Sequence, residues 1–253
     1  MNINRNYRLH MLMRLGFHVA AIWWLIQEDF HWQAGVVLAV AYFISILSIT
    51  VGYHRYFSHK AFKTYRVVQF LMGWLGCCQL QGGPIVWASV HRHHHQYSDK
   101  AEDLHSPKRG VFWAHMGWLM EPKTYDVAFR PLKDLQRFPE LVWLDRWNFV
   151  PPILCFGALW GIGELWQLGS PDSPVDGMML LMWGGVIRLV VVWHVTWCIN
   201  SLCHLWGFQT FDTSDDSRNN FIIAVLACGE GWHNNHHYDP SCARSGLDWT
   251  QPD

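Results

Sequence analysis

Histidine is the residue type in this sequence whose number and spacing point most clearly to chemistry. Imidazole nitrogen is a suitable ligand for iron, copper, zinc and nickel. One ion takes about four to six ligands, so nine grouped imidazoles predict two ions with four or five nitrogens each. The chain has 16 histidines in 253 residues, and nine of them form four groups: His54 and His59; His91, His94 and His95; His204; and His233, His236 and His237.

Two of these groups repeat the pattern HxxHH. Residues i, i+3 and i+4 share one face of an α-helix, so His91, His94 and His95 converge within about one turn. The three histidines of residues 233–237 repeat this spacing. His93 points to the far side of its helix, which excludes it as a ligand.

The other two groups have different spacing. Asn200 lies four residues before His204 and shares its helical face. His54 and His59 are five residues apart and do not share an α-helical face. Two alternatives follow for this pair: either the end of the helix unwinds, or the two histidines bind different ions.

The remaining histidines and the nearby carboxylates are interpreted as structural. Glu102–His105 and Glu230–His233 each have the Glu-x-x-His spacing of carboxylate-bridged di-iron sites, but the chain has few other glutamates to complete such a site. The seven cysteines are odd in number and form no CxxC, which disfavours a disulfide scaffold and a built-in iron–sulfur centre. We expect structural roles for His10, His18, His31, His105, His115 and His194.

The elements that must position the histidines are apolar and long enough to cross a membrane. Charged residues make up 15% of the chain, against about 25% in an ordinary soluble domain. A spanning helix needs roughly 20 apolar residues. The net charge of −1 and the 51% hydrophobic content exclude a basic nucleic-acid-binding protein and a disordered chain. The predicted spans cover about residues 9–27, 34–53, 149–168 and 178–200.

The basic residues place all four histidine groups on one side of the membrane. Apart from Arg188, they lie in residues 1–14 with Arg5, Arg8 and Arg14, before the uncharged part of the first span begins at Leu15, in the loop 55–146, or near the C-terminus. By the positive-inside rule these segments are cytoplasmic. The sequence predicts a single domain over 1–253, an all-α integral membrane fold of four transmembrane helices with a helical cytoplasmic cap, residues 54–146 and 201–253.

A fifth apolar stretch, residues 67–90, is predicted not to span. If it crossed, the first two histidine groups would face opposite compartments. Its glycines and Pro84 permit a bend, so we expect it to lie along the interface or to dip in and return. Arg188 lies inside the fourth predicted span and needs a buried partner, for which Glu164 is the candidate.

A nitrogen-rich site for two metals, without bridging carboxylates, favours iron and oxygen chemistry. A hydrolytic zinc site uses three protein ligands and one open position, so it does not need nine histidines. A site at the ends of transmembrane helices favours a substrate with an apolar chain that enters between helices. A metal-transporting membrane protein is an alternative, but it predicts ligand residues deep inside several spans, where this sequence has few.

In this order, the histidine groups resemble those of the membrane fatty acyl desaturases, and most closely the bacterial Δ9 type. The resemblance runs from His54 to about Trp249. It rests on GYHRYFSH at 52–59, GGPIVW at 82–87, HRHHH at 91–95, HVTWCIN at 194–200 with His204, and GEGWHNNHH at 229–237.

The resemblance implies an O2-dependent desaturase that introduces a cis Δ9 double bond into an acyl chain carried by coenzyme A or by a membrane lipid. It implies that Thr196 and Trp197 lie near the bend of the acyl tunnel, and that Asn200 reaches one iron through a water. The implied cofactor is two Fe2+ ions held by His54, His59, His91, His94, His95, His204, His233, His236 and His237.

The two electrons of this reaction need a separate donor, because the sequence has no haem, flavin or iron–sulfur motif. The resemblance implies a ferredoxin, rubredoxin or cytochrome b5-type protein. Its docking face is the basic segment Lys100–Arg146, unless that charge reflects the positive-inside bias alone. A multi-pass location follows, in the cell inner membrane if the source is bacterial, with the active site in the cytoplasm. A membrane hydroxylase of acyl chains or alkanes is the alternative, which the context of Asn200 and Thr196 disfavours.

Two features depart from the family pattern. Ser89 and Val90 stand where animal acyl-CoA desaturases carry a charged Arg-Asp pair, which leaves open whether the head group is coenzyme A, a lipid or a carrier protein. Family members also continue for some tens of residues beyond 246–249. We therefore expect a chain that stops at Asp253 to be either a fragment or a naturally short form. The sequence also leaves open the bond position, chain length, electron donor and oligomeric state.

Overall fold

The computed structural model describes residues 7–253; Arg5, one of the basic residues used for the topology prediction, lies outside them. The described chain is helical, and its only strand-like pairings are two isolated bridges at Asn219. The α-helices are α1 (Tyr7–Gln27), α2 (Trp32–Leu47), α3 (Arg66–Cys77), α4 (Pro84–Tyr97), α5 (Val111–His115), α6 (Pro122–Ala128), α7 (Lys133–Gln136), α8 (Pro139–Arg146), α9 (Val150–Gly169), α10 (Gly177–Met179), α11 (Arg188–Ser201), α12 (Phe221–Leu226) and α13 (His233–Tyr238).

Two of the long helices contain π-helical segments. Ser48–Ser58 continues α2, and Leu180–Ile187 joins α10 to α11. In a π-helix each N–H bonds to the carbonyl five residues earlier, which widens the turn. Short 3₁₀ turns complete the structure at Pro107–Arg109, Gly117–Met120 and Leu202–His204.

Three continuous helices are long and apolar enough to cross a membrane: Tyr7–Gln27, Trp32–Ser58 and Gly177–His204. The third predicted span, 149–168, is helical as α9. It meets the same criterion only together with α8, from which α9 is bent by 71°. The positions of the four predicted helices therefore agree with the structure, while the number of membrane crossings stays a prediction.

The helix Gly177–His204 lies at the centre of the bundle. In its most apolar stretch 72% of the residues are buried, against 11% for α1. α1 and α9 instead direct large apolar side chains outward; Leu15 is 58% exposed and Leu165 is 70% exposed. Such apolar outer surfaces are expected where lipid replaces water as the solvent. The core around the central helix comprises Ala21, Ala34, Met179, Leu180, Met182, Trp183, Val186 and Ile187.

A second core connects the π-helical end of α2 to the cap. Tyr53 and Phe57 are fully buried and pack against Leu141 and Leu144 of α8. The Tyr53 hydroxyl donates to the carbonyl of Gly82, at 2.9 Å, in the connection to α4. This core fixes the histidines of residues 54–59 relative to those of α4.

The apolar stretch 67–90 forms no single helix. It is divided between α3 and α4, and Gly82 in the connection has a φ of 94°, which favours glycine. The sequence predicted Glu164 as the partner of Arg188, and this prediction is wrong. The buried Arg188 guanidinium bonds to the side chain of Gln79, which the break carries toward it, and to the carbonyls of Cys78 and Gly184.

Candidate metal centre

Four elements bring the nine grouped histidines together between the end of the central helix and the cap. The π-helical segment carries His54, and the residue after it is His59. Helix α4 supplies the histidines of 91–95, the 3₁₀ turn after α11 supplies His204, and α13 supplies those of 233–237. The nine fall into two sets, each with nitrogen atoms that lie within 4.8 Å of one another.

The first imidazole group comprises five histidines: His54, His59, His91, His95 and His236. Its Nε2 atoms point toward a common centre. The Nε2 atom of His236 lies 3.0 Å from that of His54 and 3.0 Å from that of His95, and those of His59 and His91 are 2.7 Å apart. His54 and His59 therefore belong to the same group.

The π-helical turn explains how residues five apart reach one centre. The N–H of His59 donates to the carbonyl of His54 at 3.2 Å, and their ring centroids are 4.8 Å apart. The structure agrees with the first alternative, because the end of the helix is underwound into a π-helical turn, and not with the second, because both histidines belong to one group.

The second imidazole group comprises four histidines: His94, His204, His233 and His237. The Nε2 atom of His233 lies 3.0 Å from that of His204 and 3.1 Å from that of His237. The ring of His94 lies 5.2 Å from that of His204. Each HxxHH pattern is thus divided between the two groups.

The geometry of α4 explains this division. Successive residues of an α-helix are rotated by about 100°. His91 and His95 point to one side of α4 and join the first group, while His94 points to the other side and joins the second. Helix α13 does the same, with His236 in the first group and the other two histidines in the second.

Four carboxylates face the Nδ1 atoms of histidines in these groups. Asp103 lies 3.1 Å from His94, and Glu230 contacts His54. Asp99 lies 2.9 Å from His204, and Asp215 lies 2.7 Å from His237. A carboxylate that accepts the Nδ1 proton fixes the tautomer and leaves the Nε2 lone pair free to ligate a metal.

The donor set fits metal cations. His204 and His237 both direct an Nε2 lone pair at the Nε2 atom of His233, because their Nδ1 atoms donate to carboxylates. His233 carries at most one proton on that atom, so it can donate to only one of them. A cation between the three nitrogens removes the remaining repulsion, and neutral imidazole suits first-row transition metals.

The pKa values of the rings favour the neutral form that metal binding requires. Burial, together with neighbouring imidazoles, lowers the pKa of His233 and His236 well below its usual value. Burial lowers the pKa of His237 to about 4, although its bond to Asp215 opposes the shift. His94 differs, because burial lowers its pKa but Asp103, Asp99 and Asp215 together raise the pKa of His94 above its usual value. His91 and His95 follow the first pattern.

The carboxylates behind the rings stay charged. Burial raises the pKa of a carboxyl group, but the adjacent His94 and His105 hold the pKa of Asp103 well below its usual range. Glu230 is likewise buried, and His54 and Arg55 keep its pKa low. The Arg55 Nε atom donates to Glu230 at 2.9 Å, which fixes this carboxylate against His54.

The residues expected to bind substrate line cavities beside the imidazoles. Thr196 and Asn200 line a cavity that also reaches His54, His94 and His233. Together with Trp197 they also line a second cavity, and this cavity extends from His91 toward α1. The two cavities share Trp87, His91, Thr196 and Asn200 as lining residues, and we refer to them together as the passage.

The structure adds two residues to this passage that the sequence analysis did not select individually. The Gln81 side chain donates to the Thr196 hydroxyl at 3.3 Å and accepts from the Trp87 indole at 3.1 Å. The Trp87 ring stacks on His91 with centroids 5.1 Å apart. The GGPIVW segment at 82–87, which contains Trp87 and directly follows Gln81, was the sequence feature that could have pointed to both residues.

The other histidines are placed as follows. His93 contacts the carbonyl of Glu102 at 3.0 Å and belongs to neither imidazole group. His105 is buried beside the second group, 4.3 Å from the ring of His94. His18, His115 and His194 form a chain of contacts between α1, α5 and α11, with nitrogen separations of 3.1 and 2.9 Å. His10 packs on Tyr125, and His31 precedes α2.

Comparison with known proteins identifies the pattern. The fatty acid desaturase family model matches residues 30–251. The chain is 37% identical over 248 residues to the sn-1 stearoyl-lipid 9-desaturase of Anabaena variabilis, which covers 97% of this chain and 86% of that protein. It is 40% identical over 233 residues to the Delta-9 acyl-lipid desaturase 2 of Arabidopsis thaliana, covering 88% of this chain and 70% of that protein.

A chloroplastic palmitoyl-monogalactosyldiacylglycerol delta-7 desaturase of Arabidopsis thaliana is also similar. It is 37% identical over 243 residues, covering 94% of this chain. The chain spans only 62% of the length of that relative.

Proposed function

Since this chain belongs to the fatty acid desaturase family and has a desaturase function, we propose that it introduces a cis double bond at the Δ9 position of a saturated acyl chain. The reaction takes O2, two electrons and two protons. It removes two hydrogens from adjacent carbons and releases two waters. The single observation that carries the proposal is the pair of imidazole groups, with five and four nitrogens, at the end of an apolar passage.

The nine histidines of the two groups are proposed as ligands of two iron ions. When bound, the irons supply the activation of O2 that the cleavage of unactivated C–H bonds requires. Asp99, Asp103, Asp215 and Glu230 orient the ligands through their Nδ1 atoms. Asn200 is proposed to act through a water, which its position in the cavity shared by both groups supports.

The passage walls bind and orient the acyl chain. Trp197 is 3% exposed and lies beside Thr196 on the central helix. The Thr196 hydroxyl donates to the carbonyl of Val192 at 2.8 Å, so its bonds are satisfied within the wall. These residues exclude water and hold the reacting carbons near the imidazoles. Correct placement of reactants is a large part of catalysis.

The head group of the substrate is proposed to be that of a membrane lipid. The Ser89 hydroxyl donates to the carbonyl of Val127 at 2.7 Å and is buried, and Val90 lines the passage. Neither residue offers the charge that a coenzyme A phosphate needs. Several relatives carry acyl-lipid names, while the C20 Delta5-desaturase of Anemone leveillei is named for acyl-CoA.

Electrons are proposed to come from a ferredoxin, a rubredoxin or a cytochrome b5-type protein. In the basic segment Lys100–Arg146, Lys108 and Arg109 are exposed on the cap, where they pair with Asp216 and Glu121. Exposed positive charge steers an acidic donor toward this face and raises the association rate at low salt.

The proposed topology has four spans, with both termini and the metal centre in the cytoplasm. It rests on three continuous apolar helices, the bent pair α8 and α9, and the distribution of basic residues. The chain is proposed to act as one domain, in the inner membrane if the source is bacterial.

Lipid analysis of a desaturase-deficient host tests the proposal. The wild-type chain and a His94→Ala control are expressed, and fatty acids are analysed by gas chromatography–mass spectrometry. New monounsaturated chains with one bond position, absent in the control, are expected. Hydroxylated chains or alcohols from the wild type would show a hydroxylase instead.

A further inference from the structure

Two residues that line the passage each carry a buried hydrogen-bond donor without a partner. The Nη1 atom of Arg14 on α1 and the indole Nε1 atom of Trp118 in the turn Gly117–Met120 are both inaccessible to solvent, and neither has a hydrogen-bond partner within residues 7–253. Trp118 as a whole is 9% exposed. A buried donor left without an acceptor costs free energy, and the cost is greater for a charged group.

Arg14 and Trp118 each line both of two cavities. The inner cavity leads to His91 and Asn200, and the outer one extends to Tyr125 and Asn148. Because the same residues line both cavities, the two cavities adjoin at these residues, and we call this place the neck. The shared lining comprises Arg14, Gln81, Val86, Val90, Trp118 and Leu119.

From this geometry we propose that Arg14 and Trp118 bind the ester carbonyl oxygen of the acyl substrate. This proposal deepens the proposed desaturase function and rests on it. Two donors without an acceptor match an oxygen that offers two lone pairs. With the carbonyl held at the neck, the acyl chain extends through the inner cavity toward the imidazoles, and the anchor sets which carbons reach them.

The charge of the lining favours a carbonyl over a phosphate-rich head group. Among the described residues that line either cavity, Arg14 is the one that is always charged; the others are apolar, neutral polar or histidine. A single guanidinium does not balance the several charges of coenzyme A, whereas one charge-assisted bond and one indole bond suit a neutral ester.

Binding of paired probes to purified protein tests the contact without relying on turnover. The probes are 1-stearoylglycerol and 1-O-octadecylglycerol, an ether that lacks the carbonyl oxygen. We expect the wild type to bind the ester roughly 10-fold more tightly, as for a hydrogen bond to a charged group. Arg14→Met and Trp118→Phe should each reduce this ratio, and the double variant should bring it close to one.

Matched controls separate the contact from general damage. Arg8→Met changes an exposed arginine on the same helix, whose Nε atom bonds to Tyr7, and should keep the wild-type ratio. An ester-to-ether ratio of one in the wild type, or a ratio that both variants leave unchanged, would overturn the proposal. The proposal would also be overturned if Arg14→Met lost binding affinity only for 1-stearoyl-lysophosphatidylglycerol. That result would show that Arg14 binds a phosphate.

The position of the double bond supplies a second readout in cells. The wild type should produce one positional isomer, and Arg14→Met should produce a mixture, because an unanchored chain slides. If the wild type produces no double bond but keeps its ester preference, the desaturase proposal fails and the carbonyl contact stands. If the wild type desaturates and both variants retain one isomer and the wild-type ratio, the carbonyl contact fails alone.

Discussion

Replacement of Asp103 by asparagine isolates the contribution of the carboxylates to metal binding. The Asp103 carboxylate is fully buried and accepts from the Nδ1 atom of His94 at 3.1 Å. It also accepts from the backbone N–H groups of Asp99 and His105 at 3.0 and 3.2 Å. Asparagine keeps the shape but removes the charge that holds the proton on Nδ1.

The expected effect falls on one imidazole group. Without the carboxylate, His94 can carry its proton on Nε2, the atom that must ligate, and the second group then has three ligands rather than four. Loss of a carboxylate behind a ligand histidine costs roughly 10- to 100-fold in metal affinity, or about 1.4–2.7 kcal/mol. The first group should retain its affinity.

Anaerobic titration with Fe(II), followed by mass-spectrometric metal analysis, measures both affinities. Asp103→Asn should show one site at wild-type affinity and one weakened site. Asp216→Asn is the matched control, because its side chain is half exposed and pairs with Lys108 at 3.4 Å. Two unweakened sites in Asp103→Asn would refute the role of the carboxylate, and equal weakening of both would refute the division into two groups.

Three further predictions follow from the geometry. His94→Ala should lose iron at the second group and all activity, while His93→Ala should keep both. Metal analysis and product formation check this, and the reverse result would show that His93 and not His94 is the ligand. Gly76→Ala should destabilise the protein by about 1–3 kcal/mol, because a Cβ there overlaps the ring of Tyr53; Gly161→Ala, with nothing within 4 Å, should be tolerated in the same thermal unfolding measurement. Removal of metal by a chelator should abolish activity and lower the unfolding temperature while helix content by circular dichroism persists, and an unchanged unfolding temperature would argue against cations between the imidazoles.

The histidine groups show how far sequence reasoning reaches. Their types, spacing and order predicted that nine rings suffice for two ions, but the i, i+3, i+4 periodicity did not predict that each HxxHH pattern is divided between the two groups. The pairing of His54 with His59 did not follow, because it needs the π-helical turn at Ser48–Ser58. That turn is stabilised by packing of Tyr53 and Phe57 in the cap core, which local sequence does not reveal.

The carboxylates behind the rings were missed for a related reason. Asp99 and Asp103 follow α4 closely in sequence, but Asp215 lies in a loop far from its partner His237. Only the fold brings these groups together. The prediction of Glu164 as the partner of Arg188 was wrong for the same reason. The glycines and Pro84 predicted the bend in 67–90, but only the fold shows that the bend brings Gln79 to Arg188.

The number and identity of metals in the purified protein test the central claim most directly. We predict about two iron ions per chain by metal analysis, with a Mössbauer spectrum that shows two nitrogen-ligated sites. The five and four converging imidazoles can each hold one ion. A single ion per chain, or stoichiometric zinc in place of iron, would contradict the account.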